Sequence, residues 1–151
     1  MERDPTWLRK LAEAYFDHSV HQDLPLDDDA PLFPEDDRAG SVISQVLGLL
    51  PDEPDACWQF IQIASELPLT AEQLGLLGAG VFEDLMDEEG GRFIERVEQA
   101  VIRSAAMQEI VNGAWTMSMN PVVARHIEAL QSPPLGAKNA AMREDWRKRE
   151  Q

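Results

Sequence analysis

The apolar positions of the chain recur at helical spacing almost from end to end. Trp7, Leu8, Leu11, Ala12, Tyr15 and Phe16 form the first stripe. Asp4 and Pro5 before it supply a capping carboxylate and a proline suited to the first helical position, and this helix is expected to fade near His21. A second helix is predicted over about residues 40–50, with Val42, Ile43, Val46, Leu47 and Leu50 inward, broken by Pro51 and Asp52. A third is predicted over 53–67, burying Cys57, Trp58, Phe60, Ile61 and Ala64, with Pro68 as its stop. Thr70 and Gln73 have the spacing of a capping box and open a fourth helix, which reaches about Met86.

Gly75, Gly78 and Gly80 lie inside that fourth helix, where each glycine costs about 1 kcal/mol relative to alanine. They are expected to mark close approach of a second helix. Gly90 and Gly91 are expected to close an acidic turn. A fifth helix over 92–103 then buries Phe93, Ile94, Val97, Ala100 and Val101. A sixth, from near Ser104, carries Met107, Ile110, Val111, Ala114 and Trp115. Asn120 and Pro121 repeat the cap-and-proline start for a seventh over 122–130. Residues 132–136 read as a linker, and the tail after them has helix-forming composition with Met142 and Trp146 four apart.

No segment alternates as a strand would. The pattern predicts an all-α fold: a compact bundle or short HEAT-like stack of about seven helices with an additional C-terminal helical tail. At 151 residues the expectation is one domain over 1–131, followed by a linker and basic tail over 132–151. A chain of this length buries roughly 70% of the surface its unfolded form exposes.

One stretch has no period. Residues 23–38 carry three prolines and seven acidic residues and read as a long acidic loop. It is part of a wider asymmetry. The net charge is −15, but 21 acidic residues face three basic ones between Leu11 and Glu98, whereas five basic residues face two acidic ones between Lys138 and Arg149. An acidic body argues against direct binding of nucleic acid or anionic membrane and favours a cationic protein partner. The single cysteine, Cys57, excludes an intrachain disulfide and suits a reducing compartment. The charged opening MERDPTW lacks the apolar core of a secretory signal, and no apolar run reaches membrane-spanning length, so a cytoplasmic location is expected.

Three segments carry a resemblance: the Cys57-Trp58-Gln59-Phe60-Ile61 helix, the run LLGAGVFEDLMDEEGGRFIERVEQA over 76–100, and Val111-Asn112-Gly113-Ala114-Trp115 followed by Met117 and Met119. From Asp55 to about residue 131 the chain resembles a family of small bacterial all-helical proteins catalogued as a domain of unknown function. The family's fourth helix reads like Ala-Gly-Pro-Leu-Glu-Asp-Leu-Leu before a His-Gly turn. This chain keeps the Glu83-Asp84-Leu85 core, with Val81 in place of the proline and Glu89-Gly90 in place of His-Gly. The resemblance implies a helical fold and no particular chemistry.

The residues that could carry chemistry are few. His18 and His21 share a helix face with Asp17 and Asp23 nearby, as a metal pair would, or they are polar residues at the fraying end of the first helix. His126 stands apart from them. Glu83, Asp84, Asp87, Glu88 and Glu89 form a dense acidic corner read at a helix C-terminus, where carboxylates oppose the macrodipole. It is either a solvated surface or a patch for a cationic partner. Asp27, Asp28, Asp29, Glu35, Asp36 and Asp37 of the acidic loop have the same two readings, with Leu32 and Phe33 as apolar anchors. Cys57, on an apolar stripe, reads as a structural thiol. Trp7, Trp58 and Trp115 read as core, and Trp146 as an exposed anchor or a residue folded back.

No cofactor or metal site is expected, and the chain is expected to be a non-enzymatic protein-binding module. Its concrete form is an immunity-type protein that occludes a cationic toxin or effector domain with the loop 23–37 and the corner 83–89. Two alternatives stand beside it: a nucleic-acid mimic that inhibits a DNA-binding protein, and a metal-dependent enzyme using His18, His21 and nearby carboxylates. The basic tail either docks on its own acidic body or pairs with a second copy as a homodimer.

Overall fold

A computed structural model describes residues 4–16, 46, 48, 49 and 52–149, and every regular element among them is helical. The fold is all-α. None of the described helices is long and apolar enough to cross a membrane. His18, His21, the acidic loop over 23–38 and most of the predicted second helix lie outside the described residues. So, therefore, do Asp27, Asp28, Asp29, Leu32, Phe33, Glu35, Asp36 and Asp37. The chain divides into two compact units, Met1–Leu69 and Thr70–Gln151, where the sequence suggested one domain over 1–131 and a separate tail.

In the first unit, α1 (Pro5–Tyr15) packs against α2 (Pro54–Ser65). Asp4 caps α1 by accepting the Thr6 amide hydrogen at 2.8 Å. α1 buries Leu8, Leu11 and Ala12, and α2 buries the predicted Cys57, Trp58, Phe60, Ile61 and Ala64. The Tyr15 ring meets Phe60 edge-on at 5.8 Å, the geometry that aromatic quadrupoles favour. Val46 and Leu49, from the predicted second helix, are helical and buried.

In the second unit, α3 (Ala71–Leu77) passes through a π-helical stretch (Gly78–Phe82) directly into α4 (Glu83–Arg103). Then come α5 (Ala105–Asn112), α6 (Pro121–Leu130) and α7 (Pro133–Arg149). The start of α3 has the predicted capping box, with Thr70 accepting from the Gln73 amide and the Gln73 side chain accepting from the Thr70 amide. Ser104 and Asn120 cap α5 and α6 in the same sense. α3 packs on α5, α4 on α5 and α6, and α6 on α7.

The glycines divide by role. A methyl group on Gly78 would collide with the carbonyl of Ile110 and come within 3.1 Å of Gly113, and one on Gly113 would collide with the backbone of Gly75. α3 and α5 therefore meet backbone to backbone, and the widened π turn begins at that crossing. Gly80 borders open space and has no such reason.

The expected turn at Gly90 and Gly91 is absent. Both stay helical, no described glycine has a positive φ, and only Glu89 leaves helical values, at φ −133° and ψ 19°. The predicted fourth and fifth helices therefore join across a kink. Gly90 serves packing, because a side chain there would strike Val123 of α6.

The predicted linker is also helix. Two prolines fit the first turn of α7, where their missing amide hydrogens have no intrahelical role. α7 buries only Gly136 and Asn139, so polar contacts hold it. Gly136 lies against the Glu128 backbone without room for a Cβ. Asn139 donates to Gln131 Oε1 at 2.8 Å, and Gln131 donates to the carbonyls of Val111 and Ala114 at 3.0 and 2.9 Å. Glu128 receives Arg143 through both carboxylate oxygens, at 2.9 and 3.0 Å, and the Thr116 hydroxyl at 2.7 Å. Burial pushes the Glu128 carboxyl up. The hydrogen bonds from Arg143 and Thr116 and the charges of Arg143 and Arg125 outweigh that and hold it below the usual range.

Two predictions test these assignments by urea unfolding. Gly78→Ala is expected to lose about 1–3 kcal/mol through overpacking, while Gly80→Ala gains about 0.4–1 kcal/mol by restricting the unfolded chain. Arg143→Met leaves a buried carboxylate without its countercharge and is expected to cost about 3 kcal/mol near neutral pH. Because the folded pKa of Glu128 is depressed, the contribution of the pair is complete above the unfolded value of about 4.3. It is lost as pH falls through the lower folded value. The gap between wild type and Arg143→Met should therefore narrow in acid.

Candidate functional site

The acidic corner lies on the first two turns of α4, which continue the preceding helical path. The sequence placed these carboxylates at a free helix C-terminus. They lie on a helical run that reaches the kink at Glu89, and the chain continues as helix beyond it rather than turning away. Helical spacing sets Glu83 beside Asp87, and Asp84 beside both Asp87 and Glu88.

Glu83 has a structural task. One carboxylate oxygen accepts the Trp115 amide hydrogen at 2.6 Å and fixes the segment that follows α5. Burial raises the pKa of Glu83, the Trp115 hydrogen bond lowers it, and the charges of Asp87 and Asp84 raise it further, for a net rise. Asp84 is raised by burial and by Glu88. Asp87 is pushed up to about 6 by burial, then by Asp84 and Glu88. One Asp87 oxygen is buried and accepts no hydrogen bond from the protein.

Beside this corner lies an open cavity of about 480 Å³. Met86 and Val123, both buried, form its apolar floor, and Asp87, Glu88 and Glu89 lie along its acidic side. Val122, at the start of α6, is 55% exposed at the edge. The absence of a Cβ on Gly90 lets Val123 approach the kink and shapes that floor. Arg92 also lines the cavity, so the site joins an apolar surface to three carboxylates and one guanidinium, an acidic excess that suits a cationic side chain with an apolar stem.

The structure brings Asp87, Glu88 and Glu89 to one cavity and places Glu83 and Asp84 on the same helix just before them. Among the described residues, no group of three or more His, Cys, Asp and Glu side chains could hold a metal ion. His126 Nδ1 lies 2.9 Å from Glu98 at the surface. Cys57 is fully buried. Trp115, read as core, is 43% exposed with Lys138 Nζ 5.9 Å from its ring centre. Its backbone is claimed by Glu83, which leaves the indole outside.

The polar group of Thr116, Glu128, Gln131, Asn139 and Arg143 escaped the sequence reading. A signal was present, since Glu128 falls on the buried stripe of Val123, Ala124 and Ile127. A carboxylate on an apolar stripe demands a partner, but nothing local names Arg143, 15 residues on.

The sequence profile of a family described as a family of unknown function, DUF6869, matches residues 39–134. It covers the acidic corner and the cavity and ends at the first turn of α7. No curated protein and no solved structure matches the chain.

Asp87 yields a prediction of its own. Its folded pKa is raised, so the ionised form weakens the fold: stability falls as pH rises from the unfolded value of about 3.9 through about 6. Asp87→Asn is expected to unfold at a higher urea concentration than wild type at pH 7.5. The advantage should vanish below about pH 3, where both unfolded and folded aspartates are protonated.

Proposed function

We propose a function on one premise: the chain belongs to the family of unknown function DUF6869, so its activity is read from the corner itself. The chain is a non-enzymatic, acidic protein-binding module, in form a bacterial immunity-type protein that occludes a cationic toxin or effector domain in the cytoplasm. The observation that carries this reading is the geometry of the corner: Asp84, Asp87, Glu88 and Glu89 crowd the helix up to the kink, beside an open cavity with Met86 and Val123 in its floor. One Asp87 oxygen is buried without a hydrogen bond from the protein, and burial and mutual repulsion raise the Asp87 carboxyl. A natural fold tolerates such repulsion where binding relieves it. A lysine or arginine set among these carboxylates stabilises the ionised form of Asp87 and relieves the repulsion that the isolated protein bears.

The apolar floor of Met86 and Val123 and the exposed Val122 supply the desolvated centre that an interface needs beside its charges. The same arrangement gives a mechanism of occlusion. The corner covers basic residues that line the partner's own site, and steering by the net charge of −15 speeds the encounter. Asp27, Asp28, Asp29, Glu35, Asp36 and Asp37, with Leu32 and Phe33, extend this proposed surface in sequence.

Affinity capture from the native cell tests it. Wild-type protein is expected to retain a basic protein at low salt and release it at high salt. The variant Asp84→Lys/Glu88→Lys, altered at two exposed positions, is expected to retain none of it. If no basic protein is held even at low salt, or if the variant holds it equally well, the proposal fails.

A further inference from the structure

We propose that the C-terminal end of α7 docks, through Trp146, in the cavity beside Gly90 on a second copy of this chain. α7 is bound to its own unit over only part of its length. Its buried residues are Gly136 and Asn139, its last anchor is the Arg143–Glu128 pair, and residues 145–149 are all exposed. Trp146 lies in that end, 49% exposed. An indole carries a large apolar surface and is enriched among the anchors of protein interfaces.

The charge around Trp146 is the reverse of the charge on the rest of the unit. Arg147, Lys148 and Arg149 follow it. Arg147 lies 3.2 Å from Glu144 and Arg149 lies 3.1 Å from Asp145, both as exposed pairs within one helix. Such pairs contribute little and exchange readily for a better partner. The cavity beside Gly90 offers the complement. Its volume of about 480 Å³ admits an indole together with a flanking guanidinium, Met86 and Val123 supply apolar contact, and Asp87, Glu88 and Glu89 outnumber the one lining cation, Arg92, and supply countercharge. Within one copy the two features stay separate, because Trp146 is half exposed and the cavity is open. A second copy can bring them together, and mutual exchange of the two ends closes a symmetric pair.

The net charge of −15 on each copy opposes approach from a distance. At physiological salt that repulsion is screened beyond about 8 Å, so the local match decides the outcome. The pairing does not depend on the cationic partner proposed above, although the two would compete for Asp87 and Glu88.

Sedimentation equilibrium of the purified full chain over a rising concentration series, in buffer of about 0.15 M ionic strength, tests the pairing without any partner protein. Wild type is expected to move from the mass of one chain to that of two. Trp146→Ala and Glu88→Lys, both at exposed positions, are each expected to weaken the association at least tenfold while keeping the helical circular dichroism of the wild type. Amide resonances of Gly90, Gly91 and Val122 should shift on dilution of wild type and stay fixed in Trp146→Ala. A single-chain mass at every concentration overturns the proposal, as does association that persists unchanged in either variant. Loss of the capture result would leave this one standing, and the reverse holds too.

Discussion

A carboxylate withdrawn from water must find donors and a countercharge, and Glu128 finds them at two distant places along the chain. Thr116 comes from the segment between α5 and α6, and Arg143 from the middle of α7. With 8% and 12% of their side chains exposed, Glu128 and Arg143 form a pair that cannot be exchanged for water at low cost. The pair fixes where α7 lies, since that helix has almost no apolar face of its own. Gln131 and Asn139 then extend the polar contact to the carbonyls of Val111 and Ala114, satisfying backbone groups that the end of α5 leaves open. The second unit is therefore held both by an apolar centre and by a hydrogen-bonded group that meets the same buried stripe of α6 at Glu128.

The acidic corner follows the opposite logic. Glu83 receives an amide hydrogen from Trp115, but Asp84, Asp87 and Glu88 mostly face one another. Buried charge at Glu128 is compensated within the chain, and half-buried charge at Asp87 is not. Desolvation raises both carboxyls, and the direction of their net pKa shifts differs because only one has an arginine against it. That contrast separates a carboxylate that builds the fold from one that the fold leaves without a countercharge. The two lie on α4 and α6, which pack together, so the scaffold that keeps the corner rigid is the same one that Arg143 completes.

Much of the fold was legible because its signals are local. Asp4, Thr70, Ser104 and Asn120 each cap the helix that their position announced, since a cap bonds amides only two or three residues away. The stripe of Cys57, Trp58, Ile61 and Ala64 is buried because helical spacing alone puts those residues on one face. The corner itself was visible as a run of acidic residues. Its cavity was not, because Val123 comes from a helix some 30 residues later and reaches the kink only where Gly90 leaves room. Gly90 and Gly91 misled for a related reason. A glycine pair serves a turn or a close approach equally well, and the choice lies with what packs against it. The prolines after Ser132 misled likewise, because proline ends one helix and starts another with the same ring.

The sequence by itself determined that this protein is all-α, where most of its helices begin, which stripes are buried, and that its charge is divided between an acidic body and a basic tail. Helical periodicity, capping and charge need only neighbours along the chain. The tertiary structure alone decided that the acidic corner runs up to a kink beside a cavity with an apolar floor, that Trp115 stays at the surface, and that the tail helix is anchored by Arg143 on Glu128. Each of those depends on groups far apart in sequence meeting at a few ångströms, where burial sets the strength of every charge and the presence of a donor sets its sign of effect.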